Sequence, residues 1–155
     1  VTDIIQLITS CLATLAACIG FSILFNLRGS GILLASLGGV IGWAVYLTTA
    51  MTGSDLLQSF LATIAITAYA EVMARMKKTP VTAFLIVSLL PLVPGSGIYY
   101  TMRYFVSGDT ARFIDSGLHT LAIAGSLAIG ILPVFSIVRL VSRFKNRRAA
   151  TNGLS

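Results

Sequence analysis

The stretch of this chain whose residue types point most directly to chemistry is Leu90-Pro91-Leu92-Val93-Pro94-Gly95-Ser96-Gly97-Ile98-Tyr99-Tyr100. Two prolines interrupt an apolar run, and Gly-Ser-Gly follows the second. Pro94 lacks the N–H that a helix hydrogen bond needs, and its ring crowds the preceding turn. Gly95 and Gly97 are expected to take backbone angles closed to other residues. A helix restarting near Ser96 presents free N–H groups and the positive end of its dipole, which suits a carboxylate. Broken helices of this kind form substrate sites in secondary transporters. The simpler alternative is a proline kink packed with glycines. Two prolines together with Gly-Ser-Gly favour a site or gate over it.

The ionisable residues add four coupling candidates. Glu71 lies inside an apolar run, where a carboxylate is a default proton-relay candidate. Arg75 stands one turn later, so the two also read as an interfacial helix pair. Asp115 and His119 are likewise four apart. A histidine changes charge near neutral pH, which suits proton entry, while a helix-end pair at the headgroups is the plainer reading. Arg103 follows the broken stretch and either attracts an anionic substrate or snorkels to the headgroups. Tyr99, Tyr100 and Tyr104 offer hydroxyls to a substrate or anchor the interface. Trp43 sits too far inside its run for an interfacial belt and is a candidate cavity lining. Ser96 with His119 allows a second class of function, an intramembrane serine protease, although its motif begins with Pro rather than Gly. No spacing suggests a metal, phosphate or redox centre, so no metal, cofactor or catalytic residue is expected.

These residues need elements to hold them, and composition decides what those are. The chain has 155 residues, of which 56% are hydrophobic and 10% charged, against roughly 25% charged in soluble domains. A soluble enzyme, a disordered chain and a free nucleic-acid binder are thereby excluded, and an all-α polytopic membrane protein is expected. Charge-free runs cover residues 4–27, 29–54, 56–70, 79–102 and 116–138. The third is short, but Asp55 to Arg75 makes about 31 Å of helix if both lie near opposite interfaces. Five spans follow, at about 3–25, 31–51, 55–76, 80–106 and 111–140, the fourth broken by Pro and Gly. Together they form one transmembrane domain over 1–142, with a basic cytoplasmic tail over 143–155. Turns are expected around Asn26–Gly31, Thr52–Asp55, Lys77–Pro80 and Ser107–Thr110.

Basic residues set the orientation. With the N-terminus outside, Arg28, Arg75, Lys77, Lys78, Arg139, Arg143, Lys145, Arg147 and Arg148 lie inside, and only Arg103 and Arg112 outside. A re-entrant hairpin at the fourth segment would move the basic tail outside, so a full, broken span is expected, with the N-terminus out and the C-terminus in. Small residues recur at four-residue spacing, as in Ala35/Gly39, Gly38/Gly42 and Ala122/Ser126/Gly130. They serve close helix packing, either inside one bundle or against another subunit.

Ala70-Glu71-Val72-Met73-Ala74-Arg75, Lys78-Thr79-Pro80 and Pro91 through Met102 together resemble the smaller, C-terminal half of the threonine/serine exporter family. Phe25-Asn26 is similar as well. The resemblance runs along nearly the whole chain and is most specific over residues 70–102. In some members the halves are fused, and in others they are separate chains. The resemblance implies proton-driven export of threonine and serine, or of dicarboxylates such as succinate. It also implies a larger half-subunit as partner, with a homo-oligomer as the alternative, in a bacterial inner membrane. The substrate is then a small carboxylate, and the surroundings are the lipid bilayer. A membrane scaffold that transports nothing is the remaining alternative.

Overall fold

The computed structural model describes the backbone of residues 2–152 and the side chains of residues 5–51 and 53–142. Among these residues every regular element is helical: α1 (Thr2–Leu24), α2 (Ser30–Thr48), α3 (Asp55–Lys77), α4 (Val81–Leu89), α5 (Gly95–Val106) and α6 (Thr110–Asn152). Short 3-10 turns, Thr49–Thr52 and Leu90–Leu92, extend α2 and α4. Helix is the solution lipid imposes, because each backbone polar group must be satisfied within the chain. The helices stop where the expected turn residues stand. Gly53 and Gly108 take left-handed angles, with φ of 66° and 76°. Lys78 does the same at the end of α3, where its N–H and that of Thr79 both donate to the Ala74 carbonyl. Pro80 then prevents continuation. Asp109 opens α6 by accepting the Arg112 N–H at 3.1 Å.

The fourth segment divides into α4 with its 3-10 turn and α5, bent by 54° at the Val93–Pro94 break. Its path follows from α3 and α6. Along these two helices the contacts advance together: His119 meets Asp55, a Cβ on Gly130 would meet Thr63, and Arg75 donates to Ser142. The two helices therefore run parallel. A hairpin between them would return the chain to its starting side and make them antiparallel. The bent pair α4–α5 thus reads as one broken span, and with it the described residues hold up to five crossings by length and apolar composition.

The segment 143–155 continues α6 as far as Asn152. It contains neither Gly nor Pro before Gly153, and its Arg, Lys and Ala residues favour helix. Residues 153–155 and the basic side chains from Arg143 onward lie outside the described residues.

Packing centres on the glycine face of α2. A Cβ on Gly38 would collide with Ser88 of α4, one on Gly39 with Cys18 of α1, and one on Gly42 with Ile66 of α3. Gly130 lets α6 come within 3.0 Å of the Phe60 carbonyl, measured to an added Cβ. These small faces serve the bundle itself. Gly20, by contrast, has open space around it. Two hydroxyls lock the same core, Ser88 donating to the Ala35 carbonyl at 2.8 Å and Tyr69 to the Leu34 carbonyl at 3.0 Å. Interhelical hydrogen bonds of this kind are worth about 0.6 kcal/mol in membranes. Ser88→Ala is therefore expected to lower the unfolding temperature in detergent only slightly, with the elution profile unchanged.

Candidate functional site

The Pro/Gly break forms one wall of a cavity of about 290 Å³. That is near the lower end of ligand-sized cavities, about 300–1,000 Å³. Pro91, Leu92, Val93, Pro94, Ser96 and Gly97 line it from the fourth segment. The other walls come from Trp43 and Tyr46 of α2, Asp55 and Ser59 of α3, and His119, Thr120 and Ile123 of α6. Four crossings thus meet at the break, toward the end where α2 passes into α3.

The break works through two separate devices. Pro94 occupies the N-cap position of α5, and no side chain caps the helix. The Gly95 N–H donates to the Val93 carbonyl at 2.7 Å and the Ile98 N–H to the Pro94 carbonyl at 3.1 Å. Among the described residues no backbone acceptor takes the Ser96 or Gly97 N–H. The first turn of α5 therefore offers donors beside the cavity, with the positive dipole end behind them.

The glycines act differently from expectation. Neither Gly95 nor Gly97 has a positive φ, so neither is needed for backbone angles closed to other residues. Gly97 is instead a close-approach residue: a Cβ there would collide with Thr120 Oγ1 and stand 3.2 Å from Thr120 Cγ2. Gly95 has nothing within 4 Å of an added Cβ. One turn further on, Thr101 bonds Ser116 at 3.1 Å, and α5 stays close to α6.

His119 is placed by the tertiary fold. Its Nε2 lies 3.5 Å from Asp55 Oδ2, across from α6 to α3. It does not form an ion pair with Asp115, its sequence neighbour at four residues, among the described residues. Asp115 lines a neighbouring cleft with Tyr100, Tyr104, Arg112, Ser116 and His119. The imidazole thus borders both spaces. No hydrogen bond joins Ser96 to His119 among the described residues, so the nucleophile–base contact that the protease alternative requires is not formed.

Of the remaining candidates Trp43 lines the cavity, and the others are dispersed. Trp43 stacks on Tyr46 with ring centroids 5.5 Å apart, and its Nε1 is buried without a hydrogen-bond partner among the described residues. Arg103 is exposed in the last turn of α5 and lines no described part of the cavity. Tyr99 is exposed and packs edge-on against Tyr100, which faces the neighbouring cleft. Glu71 is buried and meets Arg75 at 3.5 Å. Arg75 also donates to Ser142 at 3.2 Å. Sixteen residues separate Glu71 from Asp55, about 24 Å of helix rise. The two ionic contacts therefore occupy opposite ends of α3.

Asp55, Tyr46, Ser59 and Thr120 belong to the cavity but were not singled out by residue type. A signal for part of this set is present in the sequence. Asp55, Ser59, Thr63, Thr67, Glu71 and Arg75 follow one another at four-residue intervals. Ser59, Thr63, Thr67 and Glu71 are all buried, giving α3 a polar seam between its two ionic ends. Thr63 and Thr67 donate to the carbonyls one turn back, at 2.8 and 2.7 Å.

No curated protein and no solved structure matches the chain. The profile of the family described as threonine/serine exporter, ThrE, matches residues 10–137. With well over half of its length matched, this multi-pass membrane chain belongs to the threonine/serine exporter family.

Proposed function

We propose that this chain is one half of a proton-coupled exporter of small hydroxy amino acids in a bacterial inner membrane. It lies with its N-terminus outside and works with a larger half of the same family. The cavity at the α4–α5 break binds or gates the substrate, whose carboxylate meets the Ser96 and Gly97 N–H groups. The observation that carries this reading is the location of the break. The segment that interrupts the fourth crossing is a wall of the cavity, and its unpaired donors lie beside it. Non-helical backbone at membrane depth is tolerated where it lines such a space. A partner half is supported by α5, which has no buried residue and leaves Ile98, Tyr99, Met102, Phe105 and Val106 exposed.

The test is efflux of threonine, serine and succinate from exporter-deficient cells. These express the chain alone and then with the larger half encoded beside it. Threonine and serine efflux is expected only when both are present, and to collapse with the proton gradient. Flux from the chain alone points to a homo-oligomer. Flux of succinate without threonine or serine overturns the assignment of substrate. Well-inserted protein that moves none of the three favours a scaffold.

A further inference from the structure

We infer that Asp55 is a shared cation acceptor, for which the ammonium group of the substrate and the proton held on His119 compete. This rests on the cavity being the substrate site. It adds the device that links substrate binding to the proton.

The argument begins with Asp55. A carboxylate in the first turn of a helix is favoured by the dipole wherever its oxygens point. Here Oδ2 points across the cavity to His119 Nε2, at 3.5 Å. The contact is long for a charge-assisted hydrogen bond, which lies at about 2.7–2.9 Å. Both side chains are about half exposed, 52% for Asp55 and 54% for His119. The pair is therefore loose and open to competition. The stacked rings of Trp43 and Tyr46 line the same space, and aromatic faces favour an ammonium ion. With the α5 donors on another wall, the lining matches both charges of a zwitterion.

The surroundings give the proton a separate access. Tyr46 of α2, Ser59 of α3 and Ser96 of α5 line the same cavity as the pair. From the other side, Tyr100 and Tyr104 of α5 with Arg112 and Asp115 of α6 share a cleft with His119. His119 can exchange a proton through that cleft while Asp55 remains in the substrate cavity. In the empty cavity the imidazolium pairs with the Asp55 carboxylate. An arriving ammonium takes that carboxylate, and the imidazolium loses its partner and releases one proton. On the other side of the membrane a new proton on His119 displaces the ammonium. One carboxylate serving one cation at a time makes the two exclusive, which is the requirement for exchange.

The experiment uses the whole exporter in inverted membrane vesicles, with serine counterflow and gradient-driven serine uptake as two readouts. His119→Gln is expected to lose about tenfold or more of the gradient-driven uptake relative to its own counterflow. Asp55→Asn is expected to weaken serine by about tenfold, the scale of one charge-assisted contact. Glycerate, which carries a hydroxyl in place of the ammonium, should change little as an inhibitor of counterflow in that variant. Asp55→Glu should restore part of the preference for serine, and elution profiles in detergent show whether each variant folds. The inference is overturned if folded Asp55→Asn retains the preference for serine over glycerate. Undiminished gradient-driven uptake in His119→Gln overturns it equally. A wild-type exporter silent towards serine would remove the proposed function and this inference together. An active wild type with unaffected variants removes the inference alone.

Discussion

Valine at position 97 is expected to end transport, while alanine at position 95 leaves it nearly unchanged. The two glycines lie within one turn of the same broken helix, and only one touches another helix. A Cβ on Gly97 would collide with Thr120 Oγ1 and stand 3.3 Å from Thr120 Cβ. Thr120 has little room to yield, because it is 8% exposed and its hydroxyl is bonded to the Ser116 carbonyl at 2.7 Å. Valine adds two methyls beyond that Cβ, so α5 must move away from α6. The strain of such overpacking is about 1–3 kcal/mol. Displacing a positioning wall by an ångström costs about a hundredfold in a reacting site, and a loss of that order in serine efflux is expected here. Gly95 has open space and a φ outside the left-handed region, so alanine fits and improves helix propensity. Efflux normalised to inserted protein checks the contrast. Equal flux in both variants would remove the α5–α6 contact from the mechanism.

Removing Arg75 is expected to destabilise the chain more than removing both members of its pair. Glu71 is 7% exposed, and Arg75 is its cationic neighbour at 3.5 Å. Arg75→Leu leaves a buried carboxylate without that partner, which costs about 1–3 kcal/mol. The loss should lie toward the low end, because the Arg75 side chain is itself 55% exposed and solvent screens the pair. In Glu71→Gln/Arg75→Leu no charge remains to be stranded, and stability should recover toward wild type. Unfolding in detergent across the four chains gives the coupling energy directly. The same variants separate the two readings of Glu71. If it only orients the loop, Glu71→Gln and the double variant export serine at the normal dependence on the proton gradient. If it carries the proton, both lose that dependence while remaining folded.

Much of the architecture was legible before any coordinates. Helix length depends on local hydropathy, and stops depend on local turn chemistry. Gly53 and Gly108 therefore sit at left-handed positions in the expected turns. The Pro91–Gly97 stretch was recognisable as a break for the same reason, since the missing N–H of Pro94 acts on its own turn. The basic residues from Arg139 onward mark the end of the apolar span, and the helix itself continues beyond it to Asn152. Arg, Lys and Ala continue a helix readily once it has left the apolar region.

The sequence by itself determined the all-α class, the apolar runs long enough to cross a membrane and the place of the break, because each arises from residues adjacent in the chain. Only the tertiary structure decided which faces meet. Asp115 stands four residues from His119, yet the histidine pairs with Asp55 on another helix. Gly95 and Gly97 look interchangeable in a Gly-Ser-Gly stretch, yet two residues turn a helix by about 200°, and only Gly97 faces Thr120. The polar seam of α3 has a visible period, but its burial is set by packing such as that of Thr63 against Gly130 of α6. Helix rotation and direction arise from close approaches such as Gly130 against Phe60 and Thr63. In lipid, side-chain packing and interhelical hydrogen bonds make that choice, and both join residues far apart in sequence.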